Sequence, residues 1–278
     1  MMHLFHKVSN ECSRITAERY STSFSGAIML LHHSMRAPIY NIYGFVRFAD
    51  EIVDTFHEFD KKQLLADFKN ETYKAISQGI SLNPILHSFQ QTVNNYKIDR
   101  ALIDSFFNSM EMDLSHSGYD LQAYKDYIYG SAEVVGLMCL HVFCEGNQQQ
   151  FQQLQPAAKA LGAAFQKINF LRDIKADYEG LHRIYFPGVD FNNFTPANKK
   201  QVEEDIENDL AEAYSGICLL PSKARFGVYL AYKYYCSLFF KIKKAKPSVL
   251  LNKRVRIPDY HKAYIFLRTG LRSQLNIL

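Results

Sequence analysis

The chain has no tryptophan, and glycine (13) and proline (8) are scarce over its 278 residues. Few breakers leave long periodic runs intact, which argues for helices. The five cysteines, Cys12, Cys139, Cys144, Cys218 and Cys236, form no CxxC pair. An odd number of scattered thiols fits no disulfide scaffold and reads as reduced and intracellular. A net charge of only +4 excludes a general nucleic-acid binder. The stretch Met1 to Arg14 carries His, Lys, Glu and Arg and lacks the apolar core of a signal peptide. No uninterrupted apolar run approaches the ~18–20 residues that span a bilayer; Ala27–Leu31 and Val134–Phe143 are too short. The expectation is a cytoplasmic protein, soluble or peripheral on the inner face of a membrane.

What is present is apolar. Hydrophobic residues make up 47% of the chain and charged residues 22%, which supports a substantial core and excludes disorder as the dominant state. Neither a repeat nor a Pro/Gly/Ser-rich linker divides the chain, so residues 1–278 read as a single domain. Apolar residues recur at helical spacing over 38–56 (Ile39, Ile42, Phe45, Val46, Ala49, Ile52, Val53 and Phe56). They spread to more than one face, as in a helix buried within a bundle. Segments 62–78, 84–95, 99–112, 121–143, 197–219, 222–245 and 258–273 read as further helices. Another is expected over 157–177, starting after Pro156, with Glu145–Gln155 as a polar connection. No segment alternates as a strand would, and the fold class is all-α.

Three Asp-x-x-x-Asp pairs occur. Such pairs share a helical face and repel, so water or a divalent cation must compensate. Asp205/Asp209 lies in the charge run 203–209 and reads as a solvated face. Asp50/Asp54 and Asp173/Asp177 instead lie in apolar helices, where unpaired carboxylates are expensive to bury. Each has an arginine close by, Arg47 and Arg172. Either pair alone is explained as well by a structural salt bridge. Two of like composition, far apart in sequence, would make a carboxylate site for several Mg²⁺ ions if they face each other. The arginines would then grip phosphate. An apolar helical cavity below such a site implies a diphosphate head on a long hydrocarbon tail. The Tyr and Phe content, 18 and 21 residues, fits a tunnel that stabilises a carbocation, although scattered aromatics are more often plain core.

At these residues the sequence resembles the squalene/phytoene synthase family, from about Tyr20 to Pro187 and more loosely beyond. Four blocks match in order. They are Ser21-Thr22-Ser23-Phe24, the stretch Tyr43 to Asp54, the stretch Tyr127 to Gly136, and Gln166 to Asp173 followed by Asp177 and Arg183 to Pro187. Two positions depart from the family pattern, Glu133 and His182, each where glycine is usual. Glu133 is expected to add charge and volume near the cavity. The loop from Asp177 to Arg183 is one residue longer than usual.

The resemblance implies an isoprenoid synthase-type helical bundle with a central cavity. It implies an Mg²⁺-dependent prenyltransferase (Mn²⁺ substituting, NADPH not used) that joins two isoprenyl diphosphates head to head. Two geranylgeranyl diphosphates giving phytoene through prephytoene diphosphate is the first expectation. Two farnesyl diphosphates giving squalene or dehydrosqualene is the alternative. Asp50, Asp54, Asp173 and Asp177 are implied as metal ligands. Ser21, Ser23, Arg47, Arg172, Arg183 and Tyr185 are implied as diphosphate-binding residues. Tyr43, Tyr127, Gln166 and Asn169 match polar positions of the reaction chamber, the first two in the catalytic set and the last two on the diphosphate side. A one-diphosphate terpene cyclase would not need the first and third blocks, and a non-catalytic scaffold would be expected to lose its aspartates. The basic cluster Lys241, Lys243, Lys244, Lys246, Lys253, Arg254 and Arg256 has two readings: a solvated helix end and loop, or a contact with anionic lipid. Adjacent His32 and His33 are a poor metal pair, and Cys139 and Cys144 are expected in the core.

Overall fold

A computed structural model describes the chain except residues 1, 116–117, 182, 184, 189–193 and 275–278. The described residues form thirteen α-helices and one π-helical turn. In order they are α1 (Met2–Tyr20), α2 (Thr22–Met29), α3 (His33–Asp54), α4 (Lys61–Gln78), α5 (Pro84–Tyr96), α6 (Arg100–Asp113), α7 (Leu121–Ile128), the π turn Tyr129–Glu133, α8 (Val134–Cys144), α9 (Gln148–Leu181), α10 (Pro196–Leu219), α11 (Ser222–Lys244), α12 (Pro247–Leu250) and α13 (Asp259–Gln274).

Most boundaries follow local chemistry. Asp60, Asn83, Asp99, Asp120 and Thr195 each accept a backbone N–H in the first turn of the helix that follows. Gly79 ends α4 in the left-handed conformation that its missing Cβ permits. α9 differs from expectation. It begins at Gln148, and Pro156 lies inside it. Asn147 Oδ1 accepts from the Gln150 N–H and starts the helix. The glutamines that follow are good helix formers, so the helix tolerates the hydrogen bond lost at proline.

α7, the π turn and α8 run together as one helix, Leu121–Cys144. By length and composition it could cross a membrane, but 56% of its most apolar window is buried inside the fold. Val134, Leu137, Met138, Leu140 and Val142 are all buried, as in a core helix. α8 packs against both α3 and α9 and holds them on either side of a cavity. One cluster of aromatic rings fills the space between α3, α5 and α6, where Phe45 stacks on Phe89 at 3.8 Å. A second cluster, containing Tyr127, Phe170 and Tyr185, lies toward the other end of α9.

The contact between α9 and the π turn is made by backbone. A Cβ placed on Gly162 would lie 2.5 Å from the Ala132 carbonyl oxygen and 3.1 Å from Glu133 Cα. One on Gly136 would lie 2.6 Å from the Ala158 oxygen. In an open helix, alanine for glycine gains up to ~1 kcal/mol. Here the overlap with rigid backbone reverses the sign. Gly162→Ala is expected to destabilise the fold by about 1–3 kcal/mol, read as a lower denaturant midpoint; an unchanged or higher midpoint would show that the helices can part there.

Candidate active site

Three helices point their C-terminal ends at one place, and each end carries carboxylates. α3 closes on Asp50, Glu51 and Asp54, α6 closes on Asp113, and Asp173 and Asp177 lie near the end of α9. None of the three has a basic residue in its last turn. Acidic groups there meet the negative end of the helix dipole. Burial pushes the Asp50 carboxyl up to about 8, with Asp54 adding to it. Burial and then Asp173 and Asp54 push Asp177 up to about 7. Asp177 thus feels Asp54 of the other pair, and one residue touches both: the Arg183 guanidinium donates to Asp54 at 2.8 Å and its backbone N–H donates to the Asp177 carbonyl at 2.9 Å. The Asp50 side chain keeps 32% of its surface exposed, and it lines the cavity.

Arg183 is the cation the fold places at this convergence. Its Nη1 lies 2.8 Å from Asp54 Oδ1 and 3.2 Å from Asp113 Oδ1. Its Nη2 donates to the Asp113 carbonyl at 2.9 Å, and its backbone N–H donates to the Asp177 carbonyl at 2.9 Å. Tyr127 donates to Asp113 Oδ2 at 2.8 Å and Tyr185 donates to Asp113 Oδ1 at 3.3 Å. Burial pushes the Asp113 carboxyl up to about 6 even with Arg183 opposing the shift. Burial lowers the guanidinium pKa of Arg183, but Asp113, Tyr185 and Asp54 hold it above its ordinary value. Arg183 and Tyr185 therefore brace the acidic end of the site together with Tyr127.

The cavity has a volume of about 500 Å³. Its mouth carries Ser21, Tyr43, Arg47, Asp50, Gln166, Asn169, Arg172 and Arg254. Ser21 caps α2 by accepting from the Phe24 N–H at 3.1 Å and also bonds to Tyr43. Burial pushes the Tyr43 hydroxyl up to about 12, so it stays protonated. Tyr235 donates to Asn169 Oδ1 at 3.3 Å. Arg172 Nη2 lies 2.5 Å from Asp173 Oδ2, and Arg254 Nε lies 2.7 Å from Asp173 Oδ1. Arg47 pairs with Glu51, and its guanidinium lies 4.4 Å from the centre of the Tyr20 ring. Below the mouth, α9 contributes Leu154, Ala157, Ala158, Leu161, Gly162 and Phe165 at helical spacing. The 18 helical steps from Leu154 to Arg172 span about 27 Å at ~1.5 Å per residue.

Several expectations are corrected. Glu133 does not line the cavity; it lies 3.3 Å from Lys159. The π turn faces Ser131 and Ala132 to the cavity instead. Asp205 and Asp209 are more than a solvated face, because both pair with the buried ammonium of Lys167, at 2.5 and 2.7 Å. Ser23 is half-buried on α2 and does not line the cavity. His182 lies outside the described residues. Within the basic cluster, Arg254 belongs to the site. Cys139, expected in the core, lines the cavity wall. Sequence reasoning missed Asp113, Arg254 and Tyr235. Asp113 had one local signal, an acidic last residue on an apolar helix with nothing basic beside it. Arg254 and Tyr235 had none, since their partners lie 81 and 66 residues away.

The residues present suit a hydrated divalent cation bridged by phosphate. No three of the described His, Cys, Asp or Glu side chains form a ready-made ligand cage, yet opposed carboxylates with raised pKa values need positive charge. Mg²⁺ takes one or two carboxylates and fills its shell with water and phosphate. Arg47 Nε and Ser131 Oγ, both on cavity-lining residues, are buried without a hydrogen-bond partner among the described residues. Asp50, Asp113 and Asp177 have folded-state pKa values above the usual ~3.9. The stability they contribute is present at low pH and lost as pH rises through about 6 to 8. Mg²⁺ with inorganic diphosphate should therefore raise the melting temperature more near pH ~8.5 than near pH ~6. A shift equal at both values, in a thermal-shift assay, would contradict the assignment.

Comparison with known proteins gives the family. The family described as squalene/phytoene synthase matches residues 17–261. The chain is 23% identical to 4,4'-diapophytoene synthase of Staphylococcus haemolyticus, covering 91% of this chain and 93% of that protein. It is 28% identical to 15-cis-phytoene synthase of Synechocystis, covering 95% and 85%. A crystal structure of a dehydrosqualene synthase in complex with ligand superposes with a TM-score of 0.79 at 18% identity, covering 97% of this chain and 98% of that one. The facing aspartates, the apolar shaft and the match over most of its length make this chain a member of the squalene/phytoene synthase family of head-to-head isoprenoid synthases.

Proposed function

We propose that the chain acts as one cytoplasmic catalytic domain that condenses two geranylgeranyl diphosphates, through prephytoene diphosphate, to phytoene. Two diphosphates and two protons leave, one proton as the cyclopropane closes and one from the final cation. The observation that carries this reading is the cavity itself, with a polar, charged mouth above an apolar shaft. An extended C20 tail advances about 1.25 Å per bond, or roughly 19 Å in all. Measured from Arg172 at the mouth to Leu154, the cavity runs about 27 Å along α9, which seats the diphosphate at the arginine and leaves room for the tail below it. The phytoene synthases among the relatives support the longer donor.

Mg²⁺, or Mn²⁺ in its place, held by Asp50, Asp54, Asp173 and Asp177, would neutralise charge on the leaving diphosphate. Arg47, Arg172 and Arg254 bind the diphosphate at the mouth. The Nε of Arg47 has a donor to spare, and Ser21 and Tyr43 add hydroxyls. Gln166 and Asn169 orient the reacting end, with Asn169 held by Tyr235. The apolar wall keeps water from the allyl cation while the second substrate's double bond attacks. Phe165 and Tyr235, stacked at 3.8 Å, present ring faces in that wall. Arg183, Asp113, Tyr127 and Tyr185 fix the ends of the helices that carry the aspartates. The final cation loses a proton, and no nicotinamide takes part.

A second reading uses two farnesyl diphosphates to give dehydrosqualene or squalene; the structural likeness to a dehydrosqualene synthase favours it. Purified protein with Mg²⁺ and either donor, with and without NADPH, separates the two. The expected product is phytoene from the C20 donor, unchanged by NADPH. A C30 hydrocarbon as the sole efficient product would overturn the C20 assignment. Asp50→Ala should lower turnover at least ~100-fold with the fold intact; near-normal turnover would remove Asp50 from the metal site.

A further inference from the structure

The modest net charge hides a strong segregation. Residues 222–278 hold thirteen Lys and Arg against one acidic residue, Asp259, a net of +12. The rest of the chain holds nineteen against 27, a net of −8. Four of the thirteen are paired: Lys223 with Glu145, Lys243 with Glu207, Arg254 with Asp173 and Lys262 with Asp259. The other nine make no ion pair among the described residues.

α13 carries the second half of the observation. It lies antiparallel on α11. Ser237 meets His261 at 3.1 Å near its start, and Arg272 donates to the Tyr229 hydroxyl at 3.2 Å near its end. Ile265 and Thr269 form its buried face, Ile265 within a cluster that includes Ala27, Leu230 and Tyr234. The opposite face is also apolar. Tyr260, Tyr264, Leu267 and Leu271 follow one another at spacings of four, three and four, which aligns them in one stripe about 16 Å long. They are 78%, 59%, 65% and 63% exposed. Arg268 and Arg272 flank the stripe, on the side where Lys233 of α11 lies between Tyr229 and Ser237. One turn beyond Ser237, exposed Phe240 carries the Lys244 ammonium 4.2 Å from its ring centre. The only carboxylate of α13 is Asp259, 3.3 Å from Lys262.

We propose that this face of α13, with the adjoining turn of α11, seats the enzyme on an anionic lipid bilayer. Tyrosines suit the headgroup level and leucines the acyl boundary. Lys233, Lys244, Arg268 and Arg272 supply electrostatic attraction to an anionic surface. A second copy fits poorly, because a two-fold interface would press this cationic rim against itself. The position also serves the reaction. Ala27 of α2 and Ala231 of α11 line the cavity and belong to the same small cluster as Ile265 of α13. The lipid-facing helix is thus one helix layer from the shaft that holds the hydrocarbon. This link to product transfer rests on the prenyl-coupling reading; the surface itself does not.

The test is co-sedimentation of the full chain with phosphatidylcholine vesicles, with and without about 30% phosphatidylglycerol, at low and high salt. Binding is expected to the anionic vesicles alone and to weaken with salt. The double variant Leu267→Ser/Leu271→Ser should lose at least ~10-fold in binding. Its turnover on detergent-dispersed substrate should match the unaltered enzyme, since neither residue touches the site. Failure of the unaltered chain to sediment, or full binding by the double variant, overturns the proposal. So does self-association that the variant abolishes without any vesicle binding. An active enzyme that ignores vesicles defeats the surface alone; one that binds vesicles but couples no prenyl donor defeats the catalytic reading alone.

Discussion

Everything at the mouth of the cavity depends on one electrostatic problem. Three helix C-termini, each with one or more aspartates in or near its last turns, converge on Arg183, the buried arginine among the described residues there. Arg183 pairs with Asp54 and Asp113, which leaves Asp50 and Asp177 with pKa values pushed toward neutrality. Replacing such a cluster with apolar residues is often neutral or stabilising for a fold. The proposed cation that arrives with substrate would neutralise these carboxylates. The arginines divide by position: Arg183 is buried against Asp54 and Asp113, whereas Arg47, Arg172 and Arg254 line the cavity.

The same helices that resolve the charge also build the shaft. α9 carries Asn169, Arg172 and Asp173 at one end and Leu154 to Phe165 below. Its close approach to the π turn, permitted by Gly136 and Gly162, sets the position of the wall. π turns interrupt helices where a side chain must be re-aimed. Here the turn directs Ser131 and Ala132 to the cavity and Glu133 to Lys159.

Much of this was legible in the sequence, for reasons that differ by residue. Asp50/Asp54 and Asp173/Asp177 were readable because a carboxylate in an apolar helix is costly wherever the helix ends up. The helices 62–78, 84–95 and 99–112 were readable because their caps and breakers are local. α1 was not, because its buried residues are Ser9, Ser13, Thr16 and Ala17. It packs by close polar contact, with Ser13 bonded to Ser88 at 2.7 Å, and shows no apolar stripe. Glu133 misled because composition gives a residue's identity without its direction, and one extra residue in a helical turn redirects it. Arg254 and Tyr235 reach their partners across most of a helix bundle, and no local pattern encodes that. The stripe on α13 was hidden for the opposite reason: an apolar residue at helical spacing reads as core until the fold leaves it exposed among the described residues.

The central claim is that the two aspartate pairs share cations with a diphosphate. The most direct measurement is anomalous diffraction from crystals soaked with Mn²⁺ and a non-hydrolysable prenyl diphosphate analogue. The account predicts Mn²⁺ between Asp50/Asp54 and Asp173/Asp177, with phosphate oxygens completing its shell and Arg47 and Arg172 on the phosphate. Mn²⁺ bound elsewhere, or a diphosphate held by arginines alone with the aspartates unliganded, would contradict it.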